Sequence, residues 1–137
     1  EVTISNSLSN VTDKTKYEYP STGTLYTQNR LEILKKESYK NSTKTSTVNN
    51  VYATLSGLYV PSTIQTSLMG NTLEDRIVFH SYYANGNVKE VSKKDGTRVV
   101  YIWGYNETKP IAKIENISYS EVQNYVSNLQ NLTLIMI

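Results

Sequence analysis

Residues 83–105 read Tyr83-Ala84-Asn85-Gly86-Asn87-Val88-Lys89-Glu90-Val91-Ser92-Lys93-Lys94-Asp95-Gly96-Thr97-Arg98-Val99-Val100-Tyr101-Ile102-Trp103-Gly104-Tyr105. Two glycine turns punctuate this stretch, Asn85-Gly86 and Asp95-Gly96. Asn-Gly and Asp-Gly are strong hairpin signals because both central residues of a tight two-residue turn need positive φ. Between them, residues 87–94 set Val88 and Val91 in a polar background. After the second turn, residues 97–105 are rich in strand formers: Val99, Val100, Tyr101, Ile102 and Trp103. Before the first, residues 73–83 carry the apolar run Ile77-Val78-Phe79. Tight turns bracketing short strands predict a three-stranded antiparallel meander. Residues 111–117 supply a fourth strand after the loop 106–110.

Working outward, the period changes near the C-terminus. Ser118-Tyr119-Ser120-Glu121 fits a capping box, and Val122, Tyr125, Val126 and Leu129 then fall at helical spacing. This predicts an amphipathic helix over 119–130. The apolar residues 132–137 that follow are far too few to cross a membrane.

The N-terminal half is less patterned. Val2 and Ile4 alternate and suit a short strand. Residues 16–20 alternate and stop at Pro20, and Ser21-Thr22-Gly23 reads as a turn, with Leu25 and Tyr26 beginning a return strand. Residues 30–40 are read as a strand. Residues 41–50 are polar and read as a loop or an exposed Thr-rich strand. Val51–Leu55, Leu58–Val60 and Ile64–Met69 read as separate short apolar pieces. The expected fold is all-β, or β-dominated, a domain of antiparallel hairpins with one C-terminal α-helix. Residues 1–137 are expected to form a single domain.

Composition agrees with that class. The chain of 137 residues has a net charge of +2, 12 tyrosines, one Phe, one Trp and no cysteine. A chain of this length fits one domain with a modest core. Tyr and Thr suit pleated surfaces with one face wet. Without cysteine there are no disulfides, thiolate metal sites or cysteine nucleophiles. Lys and Arg are scattered among Asp and Glu, so no nucleic-acid partner is expected. No stretch is long and apolar enough for a transmembrane segment. The sequence opens at Glu1 without a signal peptide, which suits a processed chain or a piece of a longer one.

The second half resembles a YD repeat, the unit of Rhs-type proteins. The resemblance rests on Tyr83-Ala84-Asn85-Gly86-Asn87-Val88, Asp95-Gly96-Thr97 and Tyr101-Ile102-Trp103-Gly104-Tyr105, and continues through Pro110-Ile111-Ala112-Lys113-Ile114-Glu115-Asn116. It is similar to the large YD-repeat surface proteins of Bacteroidetes-like bacteria, and covers residues 73–130. On that resemblance residues 73–117 are a YD-repeat meander, 118–131 the helix, and 14–72 a degenerate copy carried by Tyr17, Tyr19, Gly23 and Leu25. It implies a secreted or cell-surface bacterial protein whose repeats build long antiparallel sheets around a cargo. A chain of this length falls short of a closed shell, because repeats bury their faces by stacking on neighbours.

The chemistry-bearing residues also fit plainer roles. His80 is the sole histidine, on a strand, and general-base work needs a positioned partner. Glu74 and Asp75 are adjacent on a strand and so face opposite ways, which excludes them as a glycosidase pair; Glu107 stands apart. The expectation is therefore no catalytic residues, no metal site, no cofactor and no enzyme. Asn85, Gly86, Asp95 and Gly96 are expected to form structural turns. Tyr83, Tyr101, Trp103 and Tyr105 are expected to form a packing or binding face, with Tyr101 and Trp103 on one side of a strand and Ile102 on the other. The expected partners are other repeats or a protein cargo, with self-association through open sheet edges. The second reading is a carbohydrate-binding surface module using exposed Tyr and Trp. The Asn-x-Ser/Thr sites at Asn10, Asn41, Asn106, Asn116 and Asn131 are what so Asn- and Thr-rich a chain produces by chance.

Overall fold

The computed structural model describes residues 2–6 and 11–135. Asn10 and Met136–Ile137, singled out above, fall outside the described residues. The elements run β1 (Val2–Asn6), β2 (Val11–Glu18), α1 (Gly23–Thr27), β3 (Lys35–Lys40), β4 (Thr43–Leu55), β5 (Leu58–Leu68), β6 (Glu74–Tyr82), β7 (Val88–Lys93), β8 (Arg98–Gly104), β9 (Lys109–Glu115) and α2 (Tyr119–Ile135). Among the described residues nine strands form an antiparallel meander in sequence order, β1 to β9. The β-dominated architecture and the C-terminal helix stand as expected.

The chain forms two compact units. One comprises residues 1–52 and 63–76, the other 53–62 and 77–137, so that β4 and β5 contribute to both.

In the first unit, α1 corrects the expected return strand at Leu25 and Tyr26. It is one turn long, buries Leu25, and ends at Asn29, whose φ of 54° is left-handed. The Arg30 N–H donates to the Leu25 carbonyl at 2.9 Å and the Asn29 N–H to that of Tyr26 at 3.0 Å. This is a Schellman closure, which lets so short a helix satisfy its last carbonyls. The expected strand over 30–40 begins only at Lys35. The polar stretch 41–50 is not a loop: Asn41 and Ser42 turn with φ of 47° and 69°, and β4 starts at Thr43. Leu25, at 4% exposure, is the only large hydrophobic residue buried among the described residues of this unit.

The second unit holds the core. Ile102 and Val100 are fully buried and pack with Val122 and Val126 of α2, flanked by Ile111, Ala112, Ile114, Ile117 and Tyr119. Val122 and Val126 are one helical turn apart and present one stripe to the sheet. Burying such side chains stabilises by roughly 1.5–3 kcal/mol each. The capping box forms its Glu arm: the Ser118 N–H donates to the Glu121 carboxylate at 2.8 Å. The helix continues beyond Gln130 to Ile135. The pieces 58–60 and 64–68 are one strand, β5, running through Pro61, and Met69 falls in the turn that follows.

The two glycine turns differ from the expected type. Within these two turns only Gly86 and Gly96 have positive φ, at 88° and 83°. The Gly86 N–H donates to the Tyr83 carbonyl and the Gly96 N–H to that of Lys93, each at 2.9 Å. Tyr83 N–H to Asn87 carbonyl, at 2.8 Å, and Lys93 N–H to Thr97 carbonyl, at 2.9 Å, close the loops. These are type I turns followed by a left-handed glycine bulge, the three-residue hairpin form. The reason is the residue before each glycine. Asn85 and Asp95 stay at negative φ and accept the N–H two residues on, at 3.0 Å from Asn87 and 2.9 Å from Thr97. That side-chain bond competes with the left-handed conformation a two-residue turn would require. Pairs of consecutive positive φ instead occur at Asn41-Ser42, Ser56-Gly57 and Met69-Gly70.

Candidate functional site

The face expected at Tyr83, Tyr101, Trp103 and Tyr105 is largely tied into the second unit. Tyr83 is buried and its hydroxyl donates to the Tyr101 carbonyl at 3.3 Å. The Trp103 indole N–H donates to the Val88 carbonyl at 2.9 Å, and Gln130 of α2 donates to the Trp103 carbonyl at 2.8 Å. Tyr101 and Trp103 are half-buried, whereas Ile102 between them points into the α2 contact. Tyr105 stands apart on the β8–β9 turn, 37% exposed, with the Lys109 ammonium 5.4 Å from its ring centre.

A second cluster was not anticipated. Tyr83 meets Tyr119 edge to face, their ring centres 6.3 Å apart. The Lys89 ammonium lies over both rings, 4.8 Å from that of Tyr83 and 4.4 Å from that of Tyr119. Burial first, then the neighbouring Tyr119 and Glu107, hold the Tyr83 hydroxyl far above the usual phenol range. Beside it, Glu90 is buried at 7% exposure and is paired on both oxygens, with the Arg98 guanidinium and with the Tyr119 main-chain N–H at 3.3 Å. The sequence pattern carried no sign of this, because Glu90 meets Tyr119 only after the chain has made two hairpins.

The β8–β9 turn is unusual in its backbone. Tyr105, Asn106 and Glu107 all have left-handed φ, between 52° and 59°. Such a run is disfavoured for residues with a Cβ and needs outside support. Asn85 donates its side-chain amide to the Glu107 carbonyl at 3.1 Å, and the Asn87 amide donates to the same oxygen. The β6–β7 turn thus clamps the β8–β9 turn.

The first unit carries a polar row across five strands. Glu18 pairs with Lys35 at 3.1 Å, and Lys35 stands in register with Asn49. The Asn49 amide donates to Gln65 at 2.9 Å, and the Gln65 amide to Asp75 at 2.8 Å. Beside the row, Glu37 accepts from Lys44 at 2.5 Å and from the Tyr39 hydroxyl at 2.8 Å, which pulls its carboxyl below the usual range. An open depression is lined by Lys16, Tyr17, Glu18, Lys35 and Glu37.

His80 contacts Ser92, its Nε2 2.9 Å from the hydroxyl, on an exposed sheet surface. Glu74 pairs with Arg76, while Asp75 accepts from Gln65, so these two carboxylates serve separate contacts. Among the described residues no three His, Cys, Asp or Glu side chains converge as a metal site would need, and no helix is long and apolar enough to cross a membrane. Comparisons with family models, with curated proteins and with solved structures return no match.

Proposed function

We propose that this chain is a non-enzymatic scaffold segment of a secreted or cell-surface protein of the YD-repeat, Rhs-like kind. Its work is to present sheet faces and edges to further repeats, a cargo or a protein partner. The observation that carries the reading is the uneven core. The second unit buries a cluster around Val100 and Ile102, whereas the first buries only Leu25 among its described large hydrophobic residues. A sheet of polar and half-buried side chains is what a repeat looks like apart from its neighbours, since stacking supplies the missing burial. The two glycine turns of matching geometry add support, being the feature on which the resemblance rests.

Light scattering across a range of protein concentrations tests it. Masses that climb above the monomer are expected, because uncovered faces and edges seek partners. A monomer at every concentration overturns the reading.

A carbohydrate-binding module is the second reading. In its favour, Tyr19, Tyr26, Tyr105 and Tyr125 expose aromatic rings, Tyr125 at 66%. Polysaccharide pull-down with wild type and with Tyr105→Ala separates the two. Retention that the substitution abolishes moves the function to the exposed tyrosines.

A further inference from the structure

Asn85-Gly86 is the one Asn-Gly pair in the chain. At such a pair the glycine nitrogen reaches the asparagine side chain with no Cβ in its way. The nitrogen attacks Cγ, a new N–Cγ bond closes a cyclic imide, and ammonia leaves, carrying the glycine N–H proton. Water then opens the ring. Opening at the side-chain carbonyl yields aspartate, and opening at the main-chain carbonyl yields an isoaspartyl link.

The hairpin holds every group of this reaction. The Gly86 N–H is donated to the Tyr83 carbonyl at 2.9 Å. The Asn85 Oδ1 accepts from the Asn87 N–H at 3.0 Å, and its Nδ2 donates to the Glu107 carbonyl at 3.1 Å. Nucleophile and electrophile are therefore each engaged elsewhere. We propose that Asn85 is a deamidation site which the folded hairpin keeps closed, and whose conversion loosens the β8–β9 turn. This inference does not depend on the scaffold reading.

The β7–β8 turn displays what the acid product would retain. Asp95 occupies the position matching Asn85, and its carboxylate accepts the Thr97 N–H at 2.9 Å. An aspartate at 85 keeps the equivalent bond from Asn87. It has no hydrogen to give the Glu107 carbonyl, so one of the two side-chain amides that hold that carbonyl is replaced by a carboxylate facing an oxygen. The isoaspartyl product also adds a backbone carbon inside a loop closed by the Gly86–Tyr83 and Tyr83–Asn87 bonds.

Peptide mapping by mass spectrometry after incubation at mildly alkaline pH tests the first half. Conversion at Asn85 in the chain unfolded with guanidinium is expected to outpace that in the folded protein by about tenfold or more, the ratio reporting hairpin opening. Equal rates overturn the closed site. Amide hydrogen exchange over residues 105–108 tests the second half on Asn85→Asp and on the purified isoaspartyl form. Faster exchange in both is expected, and exchange unchanged from wild type in both overturns the coupling. Asn85→Gln, which cannot close the five-membered imide, is the control expected to show no conversion at 85.

Discussion

Glu90 on β7 accepts the main-chain N–H of Tyr119, the first residue of α2, at 3.3 Å. The first N–H groups of a helix have no partner within it, and a carboxylate there also meets the positive end of the helix dipole. The other Glu90 oxygen takes the Arg98 guanidinium from β8, one strand away. A single buried side chain thus joins the sheet to the start of the helix that covers it. Glu90→Ala is expected to destabilise the protein by about 1–3 kcal/mol, the usual cost of leaving a helix N–H and a cation without their acceptor. Urea denaturation followed by circular dichroism measures it. Stability within error of wild type would remove Glu90 from the docking of α2.

Gly96 is the only residue of the β7–β8 turn with positive φ, at 83°. A side chain there meets no neighbour, so the cost of a substitution is conformational. Gly96→Val is expected to lose roughly 1–3 kcal/mol, because a β-branched residue resists the left-handed region. Asp95→Ala removes the acceptor of the Thr97 N–H, a solvent-exposed bond, and is expected to lose less. Thermal denaturation of the pair checks the order of the two effects. Equal or reversed losses would mean that the side-chain bond, not the glycine, sets the turn.

How far the fold could be read from sequence follows from the kind of signal each element carries. The meander from β6 to β9 was legible because Asn85-Gly86, Asp95-Gly96 and the Val99–Trp103 run are local signals. The capping box at Ser118 and Glu121 was equally local. The turn type was not legible, because it turns on whether Asn85 and Asp95 spend their side chains on the N–H two residues ahead. Helix α1 was hidden because one turn has no periodicity to detect, and its closure rests on Asn29 accepting left-handed φ. Strands β3 and β4 were obscure for a different reason. Their strand character lies in cross-strand polar pairs such as Glu37 with Lys44, which appear only when partners meet. Glu90 and Lys89 were missed likewise, since their partner Tyr119 lies beyond two hairpins.

The Tyr83 hydroxyl is expected to give the protein an alkaline limit. Its folded pKa lies above the unfolded value, chiefly because it is buried. A group raised in this way contributes stability that is complete below the unfolded pKa and is lost as pH rises through the folded one. The loss is expected to begin above about pH 10, where tyrosine in an unfolded chain ionises. Tyr83→Phe should flatten this alkaline limb, while giving up the bond to the Tyr101 carbonyl at neutral pH. Melting temperatures of both proteins, taken from neutral pH into alkali, decide the matter. Parallel curves would assign the limb to other groups.

Glu121 is expected to contribute to the opposite, acid limit. The Ser118 hydroxyl and main-chain N–H, in that order, hold its carboxyl below the ordinary range. A depressed carboxylate contributes stability that is present above its unfolded pKa and is lost as pH falls through its folded one. The start of α2 is therefore expected to loosen once pH drops below about 4.3, the ordinary glutamate value. Val122 lies one residue from Glu121, so loosening the first turn draws the helix away from Val100 and Ile102. Glu121→Gln keeps an acceptor but no charge. That variant is expected to be less stable than wild type at neutral pH and to lose less on acidification. Helical circular dichroism during acid titration of both proteins reads the difference. Acid limbs of equal depth would shift the burden to Glu37, Asp95 and Glu115, whose carboxyls are likewise held down by hydrogen bonds.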